Sequence, residues 1–421
     1  YGDNSNDGLT PDNPLKTIRH ATNIILPDST HPNTIYLADG IYSFATNDEY
    51  FPIEVLDFIS IMGESEIGTI INATEIQSGV VIIKNVNSST LSYLTITGGY
   101  QGAPYGTNGG ITFENSNATL EHVTVTENHG NDAGGIFLLN SDPTIRNVTI
   151  TDNNPIGIFS SNSNPIIENV IITGHNGGIM FEESSNGTVE NSTISYNTSY
   201  GIECRNSSPS ISNTLISYNS GVGIQISVSN PIIENSLIQS NGSYGINCYH
   251  SDPFFSDLII SDNGNSGIQC DNSNPSISNS TISGNIANHD GGGMYCKNNS
   301  NPLMQNVDFV GNTATLGGGI YIIDNSPSIV NCNFIANTAH QDGGGISIVN
   351  ATDKVIFSNL LIENNISGTN WPGKGGGIAI NGPWYGFDSL IMENVRIIGN
   401  DARTNSTDGG RGGGIFINSN V

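Results

Sequence analysis

The chain has 421 residues, with 11 Lys and Arg against 38 Asp and Glu, so its formal net charge is −27. This balance argues against nucleic acid or anionic lipid as a partner, because both need a basic surface. No apolar run approaches the roughly 20 residues that span a membrane, and no stretch of the sequence shows the pattern of a signal peptide. Because the chain stops inside a repeat, we expect the natural protein to continue beyond Val421.

Residues 1–32 are predicted to form an N-terminal cap with one amphipathic helix. Asn13 and Pro14 suit the N-cap and the first position of a helix, and Pro27 would end it. Apolar residues recur at helical spacing, at Leu15, Ile18, Ala21 and Ile25. Such a helix would cover the open end of a solenoid, where an exposed strand edge otherwise invites pairing.

Residues 33–109 predict irregular first coils made of strands. The strand segments are rich in β-branched residues and lie at 34–37, 59–62, 69–71, 80–83 and 91–97.

From residue 110 to residue 421 a Gly-Ile (once Gly-Met) step returns every 21 to 37 residues. A steady period over most of a chain is typical of solenoids. The coil at residues 201–220 contains three short alternating strands separated by turn residues. Three strands and three turns in so few residues predict one rung of an all-β parallel β-helix, with rungs about 4.8 Å apart.

Two further residue types recur at fixed places in the coil. Cysteines share one inward position, which Ile fills in neighbouring repeats, and they are Cys204, Cys248, Cys270 and Cys296. Asparagines recur at the second turn, and we expect them to stack and satisfy buried polar groups; they are Asn147, Asn169, Asn191, Asn213, Asn235, Asn279, Asn306, Asn331, Asn359 and Asn394. The Gly of each Gly-Ile step predicts a positive φ or a close approach of backbone.

Two segments resemble known families. Residues 2–18, Gly-Asp-Asn-Ser-Asn-Asp-Gly-Leu-Thr-Pro-Asp-Asn-Pro-Leu-Lys-Thr-Ile, and 35–42, Ile-Tyr-Leu-Ala-Asp-Gly-Ile-Tyr, resemble the N-terminal cap of secreted pectate-lyase-like β-helix proteins of the DUF1565 type. Residues 309–312, Phe-Val-Gly-Asn, and 334–337, Phe-Ile-Ala-Asn, each followed by Gly-Gly-Gly-Ile, resemble repeats of chlamydial polymorphic outer membrane proteins. The resemblance implies a right-handed parallel β-helix on a secreted or surface-displayed bacterial protein. Such proteins include polysaccharide lyases and adhesins, and the resemblance does not decide between them.

The same resemblance implies that a lyase of this kind needs an Arg or Lys base beside a carboxylate-bound Ca²⁺ on one outward face. Stacking the coils puts Asp271 one rung from Lys297, with Tyr249, Tyr295 and Tyr321 nearby. These five residues are the catalytic candidates if the protein is an enzyme. The alternative, which we favour, is an exposed ion pair worth about 0–1 kcal/mol beside exposed tyrosines.

A calcium site is one interpretation of the first loop. Asp3, Ser5 and Asp7, followed by Gly8, have the oxygen spacing of a Ca²⁺ loop. The bidentate Glu expected at the twelfth place is replaced by Pro14, and an Asx-rich turn is the alternative.

Long loops near the C-terminal end are the most site-like part of the sequence. Insertions at 367–376 and 381–389 contain both tryptophans, and the aromatic residues there are Trp371, Trp384, Tyr385 and Phe387. Exposed rigid aromatics suit stacking on sugar rings, and the alternative is that they cover an apolar edge.

These observations favour an extracellular or bacterial cell-surface protein without catalytic activity, which acts in adhesion, surface display or glycan binding. One alternative is a polysaccharide lyase or glycoside hydrolase. Another is a structural filament subunit that self-associates through its C-terminal rung.

Overall fold

The computed structural model describes residues 2–100, 109–351, 354–382, 389–403 and 410–418. The chain divides into two compact units, residues 1–210 and residues 211–421. Within each unit nearly all regular structure is β-strand, and successive coils pair in parallel. The predicted all-β parallel β-helix is therefore confirmed, and each unit has three strand-bearing faces.

The N-terminal helix begins later than the sequence predicts. It spans Ile18–Ile24, and Thr17 is its N-cap, since the Thr17 side chain accepts the main-chain N–H of His20. The prediction of a start at Asn13 and Pro14 is wrong. Their carbonyls instead accept N–H groups from Gly8 and Asp3, which hold residues 13 and 14 in the preceding loop.

Buried Glu49 completes the first turn of this helix. Its carboxylate accepts the main-chain N–H groups of Ile18 at 2.6 Å and Arg19 at 3.1 Å, two donors that a helix start leaves unpaired. Burial raises the pKa of Glu49. A second, short helix, Phe44–Asn47, is capped by Ser43 and Thr46, and it was not predicted.

The first face carries the strands at the Gly-Ile step and, before the repeat begins, two earlier strands that pair with them. In residues 1–210 these strands are Ile53–Val55, Val81–Lys84, Ile111–Glu114, Ile136–Leu139, Ile156–Ser161, Gly177–Glu182 and Tyr200–Arg205. In residues 211–421 they are Val222–Ser227, Ile246–Tyr249, Ile268–Asp271, Met294–Lys297, Ile320–Ile323, Ile346–Val349, Ile378–Asn381 and Ile415–Asn418.

The second and third faces follow along each coil. Second-face strands are Asn33–Leu37, Ile59–Gly63, Thr144–Arg146, Ile166–Glu168, Thr188–Glu190, Ser210–Ser212, Ile232–Glu234, Phe254–Ser256, Ser328–Val330, Val355–Ser358 and Leu390–Glu393. Third-face strands are Gly40–Tyr42, Thr69–Asn72, Thr149–Thr151, Ile171–Thr173, Thr193–Ser195, Leu215–Ser217, Leu237–Gln239, Ile259–Ser261, Asn333–Ile335, Leu361–Glu363 and Arg396–Ile398. Four strands run through both faces: Thr90–Thr97, Thr119–Thr126, Ser276–Ser283 and Leu303–Val310.

The last coils add a fourth short strand at the third turn. These strands are Thr313–Ala314, Thr338–Ala339, Ile366–Ser367 and Asp401–Ala402. The later repeats are longer than the earlier ones, and the extra residues form these strands.

The core is a stack of apolar side chains, one set from each coil. The thiols of Cys248, Cys270 and Cys296 lie in register on successive coils and are fully buried, which confirms the inward position predicted for this column. Burial raises the pKa of the Cys270 thiol well above its usual range. Phe309 and Phe334 stack inside the core with ring centroids 4.9 Å apart.

The buried asparagine ladder lies at the third turn, not at the second. Asn263 accepts from the side chain of Asn241 at 3.0 Å and donates to Asn285 at 2.9 Å, and all three are buried. The same pattern recurs in the part of each unit that the structure describes, at Asn128, Asn153 and Asn197 and at Asn219, Asn312, Asn337, Asn365 and Asn400. His175 occupies one place in this ladder.

The predicted second-turn asparagines form a different, external ladder. They have φ between about 48° and 57° and are exposed or half-exposed, and neighbours are bonded, as in Asn306 to Asn279 at 3.1 Å. The prediction that this column satisfies buried polar groups is wrong. Asn is favoured there because it tolerates the left-handed backbone conformation.

The Gly of the Gly-Ile step is required by close approach of the next coil. A Cβ at Gly245 would lie 2.6 Å from the carbonyl oxygen of Gly267 and 2.9 Å from the side-chain nitrogen of Asn263. Positive φ occurs instead two residues earlier in the later coils, for example at Gly343.

Candidate functional site

The first face of residues 222–323 presents two outward columns of polar and aromatic side chains. One column runs through Gln225, Asn247, Gln269, Tyr295 and Tyr321, which pair in register on successive strands. The other runs through Ser227, Tyr249, Asp271 and Lys297. The structure thus brings the five sequence-predicted residues onto four neighbouring strands of one face.

Asp271 and Lys297 form an ion pair between adjacent strands. The Nζ atom of Lys297 lies 3.3 Å from Oδ2 of Asp271, and the side-chain amide of Asn298 donates to Oδ1 of Asp271 at 2.7 Å. Lys297 also lies over the ring of Tyr295, with Nζ 5.7 Å from the ring centroid. Both carboxylate oxygens of Asp271 are therefore occupied by neighbours of the protein itself.

The tyrosines of this face differ in exposure. Tyr249 is 46% exposed, whereas Tyr321 is 5% exposed, and the Tyr295 and Tyr321 ring centroids are 5.5 Å apart. Burial, followed by the charge of Asp290, raises the pKa of both Tyr295 and Tyr321. Burial also raises the pKa of Asp290, although the N–H of Leu316 opposes this shift. A partly buried carboxyl group, that of Asp290, therefore influences the tyrosine pair.

The first face of residues 1–210 has a charged end of its own. Arg205 lies with Nε 2.7 Å from Glu203 and Nη1 3.9 Å from Glu182. Phe137 and Phe159 stack along the same face with ring centroids 5.5 Å apart. These contacts pair the charges of Arg205 with Glu203 and Glu182 and stack two apolar rings.

The loop aromatics predicted to bind glycan are only partly described. Trp371 is 60% exposed, and its main-chain N–H donates to the carbonyl of His340 at 3.2 Å. Trp384, Tyr385 and Phe387 lie outside the described residues.

The residues proposed for calcium form two Asx turns. Oδ1 of Asp3 accepts the N–H of Ser5 at 2.8 Å, and Oδ1 of Asp7 accepts the N–H of Leu9 at 3.0 Å. Within the described ranges, no group of three or more His, Cys, Asp or Glu side chains is placed to hold a metal. Because Oδ1 of each aspartate already accepts a main-chain N–H, a Ca²⁺ ion at Asp3, Ser5 and Asp7 would depend on the two Oδ2 atoms. This calcium site stays a prediction.

One group of site residues was missed in the sequence. The residue before each Gly-Gly-Gly run aligns on successive coils, as Asp290, Leu316, Asp342, Lys374 and Arg411. Asp342 and Lys374 form an ion pair of 3.8 Å at the edge of the first face. In the sequence, the Gly-Gly-Gly run that follows each of these residues could have been used to align them.

The sequence matches a family described as right handed beta helix region, at residues 78–209, 109–256 and 233–383. The chain belongs to this family. Its handedness, which the resemblance implied, is therefore established together with the fold of a right-handed β-helix. No curated protein matches the chain in sequence.

The titles of several solved structures with related folds name enzymes that act on polysaccharides. The A-module of mannuronan C-5 epimerase AlgE4 from Azotobacter vinelandii is 13% identical, with a TM-score of 0.37 over 89% of this chain and 91% of the epimerase chain. The catalytic domain of a GH87 α-1,3-glucanase in complex with nigerose is 14% identical, with a TM-score of 0.37 over 94% of this chain. The match covers 65% of the glucanase chain. Pectate lyase Pel9A is 13% identical, with a TM-score of 0.29 over 92% of this chain and 76% of the lyase.

These likenesses concern the fold alone. The resemblances to a DUF1565-type cap and to chlamydial repeats stay predictions. Among the helices that the structure describes, none is long and apolar enough to cross a bilayer.

Proposed function

We propose that this right-handed β-helix is an extracellular or cell-surface protein that binds an extended glycan along the first face of residues 222–323 without cleaving it. The observation that carries the proposal is the pair of outward columns that includes Gln269, Tyr295, Tyr249 and Lys297. Side chains repeat along the axis at the rung spacing of about 4.8 Å, which is comparable to the length of one sugar residue.

The chemistry of the columns suits sugar recognition. Tyrosine rings offer flat apolar faces for sugar rings, while amides and charged groups bond hydroxyls. Tyr249 is exposed, and Tyr295 lies two strands away beside Lys297. A row of side chains on successive parallel strands suits a chain that lies lengthwise along the axis.

Binding without cleavage is favoured by the state of the charged pair. Asp271 is paired with Lys297 and accepts a hydrogen bond from Asn298, so both of its oxygens are already engaged by the protein. The surface composition supports an extracellular location, since its polarity comes from Asn, Ser and Thr and only 12% of residues are charged.

A glycan array followed by calorimetric titration of the best ligand tests this proposal. We expect Tyr249→Ala and Tyr295→Ala each to weaken binding about tenfold, because each removes a stacking face. Tyr36→Ala is the matched control, since Tyr36 is 76% exposed on the second face of the other unit. Equal loss in Tyr36→Ala, or no binding to any glycan, would overturn the proposal.

Polysaccharide cleavage is the second candidate, and Asp290 is the observation that favours it. A carboxyl group with a raised pKa beside two tyrosines can act as a general acid. Release of unsaturated uronides, abolished by Lys297→Ala, would establish a lyase. Release of reducing ends, abolished by Asp290→Asn, would establish a hydrolase.

A further inference from the structure

Three of the five cysteines form a continuous stack inside the core of residues 211–421. Cys248, Cys270 and Cys296 pair in register on three successive parallel strands of the first face, and each is fully buried. Isoleucine takes the same inward position on the strands before and after them, at Ile226 and Ile322. Packing therefore accepts an aliphatic side chain there and does not require three successive thiols. We call these three cysteines the thiol stack.

The spacing of the coils suits a covalent bond between neighbours in the thiol stack. Paired residues on adjacent parallel strands have Cα atoms about 4.8 Å apart, and disulfide-bonded cysteines usually have Cα atoms about 4.4–6.8 Å apart. The thiol of Cys270 interacts with the thiols of both Cys248 and Cys296. Cys270 can thus bond to either neighbour. Cys248 and Cys296 are two coils apart, about 9.6 Å, which exceeds the limit of about 7 Å for a disulfide.

The other two cysteines are placed differently. Cys204 is the first cysteine of the chain, and it pairs in register with Phe181 on the preceding coil. Cys332 belongs to another inward column, at the turn after the strand Ser328–Val330, and its thiol donates to the carbonyl of Val330 at 3.2 Å. Both are fully buried, so they are internal controls for cysteine chemistry that depends on a neighbouring thiol.

Burial decides when a bond in the thiol stack can form. Disulfides form when a thiolate attacks a disulfide sulfur, and burial raises the pKa of the Cys270 thiol, so this thiolate is scarce in the folded protein. Burial also separates the stack from small disulfides in solution. The reaction therefore belongs to folding, before the coils of residues 246–297 have closed around the three sulfurs. Once the coils close, the same burial protects the bond from small thiols.

We propose that Cys270 forms a disulfide bond with Cys248 or Cys296 when the chain folds in the presence of a low-molecular-weight disulfide. One protein thiolate attacks the small disulfide, forms a mixed disulfide and releases one small thiolate. The neighbouring protein thiol loses its proton, attacks the protein sulfur of the mixed disulfide and releases the second small thiolate. Two protein thiols are thus oxidised, one small disulfide is reduced, and the two protons pass to the released thiolates. The bond joins two successive coils, the third thiol stays reduced, and neither depends on the proposed glycan binding.

The test is refolding of the full chain from denaturant, once with a mixture of reduced and oxidised glutathione and once with a thiol reductant alone. The remaining thiols are alkylated with N-ethylmaleimide in denaturant, counted by mass spectrometry and located after pepsin digestion without reduction. With glutathione, we expect the count of free thiols to fall by two from the five in the sequence. The linked peptides should contain Cys270 together with Cys248 or Cys296. With reductant alone, all five thiols should be alkylated.

Two variants of the shared partner sharpen the test. Cys270→Ala and Cys270→Val should each keep all of their remaining thiols free after refolding with glutathione, and the valine variant retains the side-chain volume if the alanine variant fails to fold. Cys332→Ala is the matched control, because it makes the same change at a buried cysteine of another column and should still lose two thiols. Five free thiols in the wild type after refolding with glutathione would overturn the proposal. So would a bond between Cys248 and Cys296 in either Cys270 variant, or a wild-type bond that links Cys204 to Cys332 instead.

Discussion

The Nδ1 atom of His175 lies 3.1 Å from the main-chain nitrogen of Asn153, one coil earlier, and accepts its N–H. On the other side of the ring, Nε2 lies 3.1 Å from the carbonyl oxygen of Ile150. With Nδ1 accepting this N–H, the imidazole is neutral and its proton lies on Nε2, which donates to Ile150. Nδ1 also lies 2.8 Å from the main-chain carbonyl oxygen of Asn153. His175 therefore takes the place of an asparagine in the buried ladder.

This relationship predicts acid sensitivity of residues 1–210. Burial lowers the pKa of His175, while its contacts with Asn153 and Ile150 oppose the shift. Because the pKa is lower in the folded state than in the unfolded state, the contribution is fully present above the unfolded pKa of about 6.5 and is lost as pH falls through the folded pKa. We expect His175→Asn to flatten the decline in melting temperature below pH 6.5.

Thermal melting between pH 8 and pH 5 measures this effect. His289→Asn makes the same change at an exposed histidine of the other unit and is the control. Identical profiles for wild type and His175→Asn would show that His175 is not responsible.

The buried ladder predicts a large cost for removing one of its members. Asn263→Ala would leave the side chain and N–H of Asn241, the carbonyl of Ile238 and the side chain of Asn285 without their partner. Each buried orphan costs about 1–3 kcal/mol, so we expect a loss of about 3 kcal/mol or more. Hydrogen exchange should show faster opening at Asn241.

The external ladder supplies the control for that experiment. Asn279 has a φ of 50°, which glycine adopts freely, and it is exposed. Asn279→Gly should therefore change stability by less than about 1 kcal/mol. A cost equal to that of Asn263→Ala would contradict the division into a buried and an external ladder.

The stacked core phenylalanines predict a cavity effect. Phe334 is fully buried and faces Phe309 at 4.9 Å, so Phe334→Ala should cost about 3–5 kcal/mol. Phe254→Ala makes the same chemical change at a side chain that is 40% exposed, and we expect less than half that cost. Hydrogen exchange of the flanking coils measures both, and similar protection in the two variants would refute the assignment of Phe334 to the core.

Calcium at the first loop is a further prediction. The N–H of Ser5 lowers the pKa of Asp3, so its carboxylate is charged at neutral pH, and Asp7 lies four residues on. If Ca²⁺ binds, it should raise the melting temperature relative to a chelator, and Asp7→Asn should remove the rise. Asp12→Asn is the control, because Asp12 is exposed in the same loop. No rise with Ca²⁺ would leave two Asx turns as the whole role of this loop.

The site on residues 222–323 was largely predictable. Asp271 and Lys297 pair because each stands three residues after its inward Ile or Met, and parallel coils keep equal positions in register. The column that contains Asp342, Lys374 and Arg411 was not predicted, because the insertions in these coils hide the alignment. The triple glycines preserve it, but only the hydrogen bonds between coils show that these residues are neighbours.

The sequence by itself determined the repeat, the parallel β-helix, the inward Ile and Cys columns and the register of the outward residues Tyr249, Asp271, Tyr295, Lys297 and Tyr321. These features follow from the alternation of apolar and polar residues within each coil and from the regular length of the repeat. Only the tertiary structure decided which asparagine column is buried, where the N-terminal helix begins and that Lys374 reaches Asp342 and Phe416. The reason is that each of these depends on backbone conformation and on partners from another coil, such as Glu49 at the start of the helix, which no local pattern records.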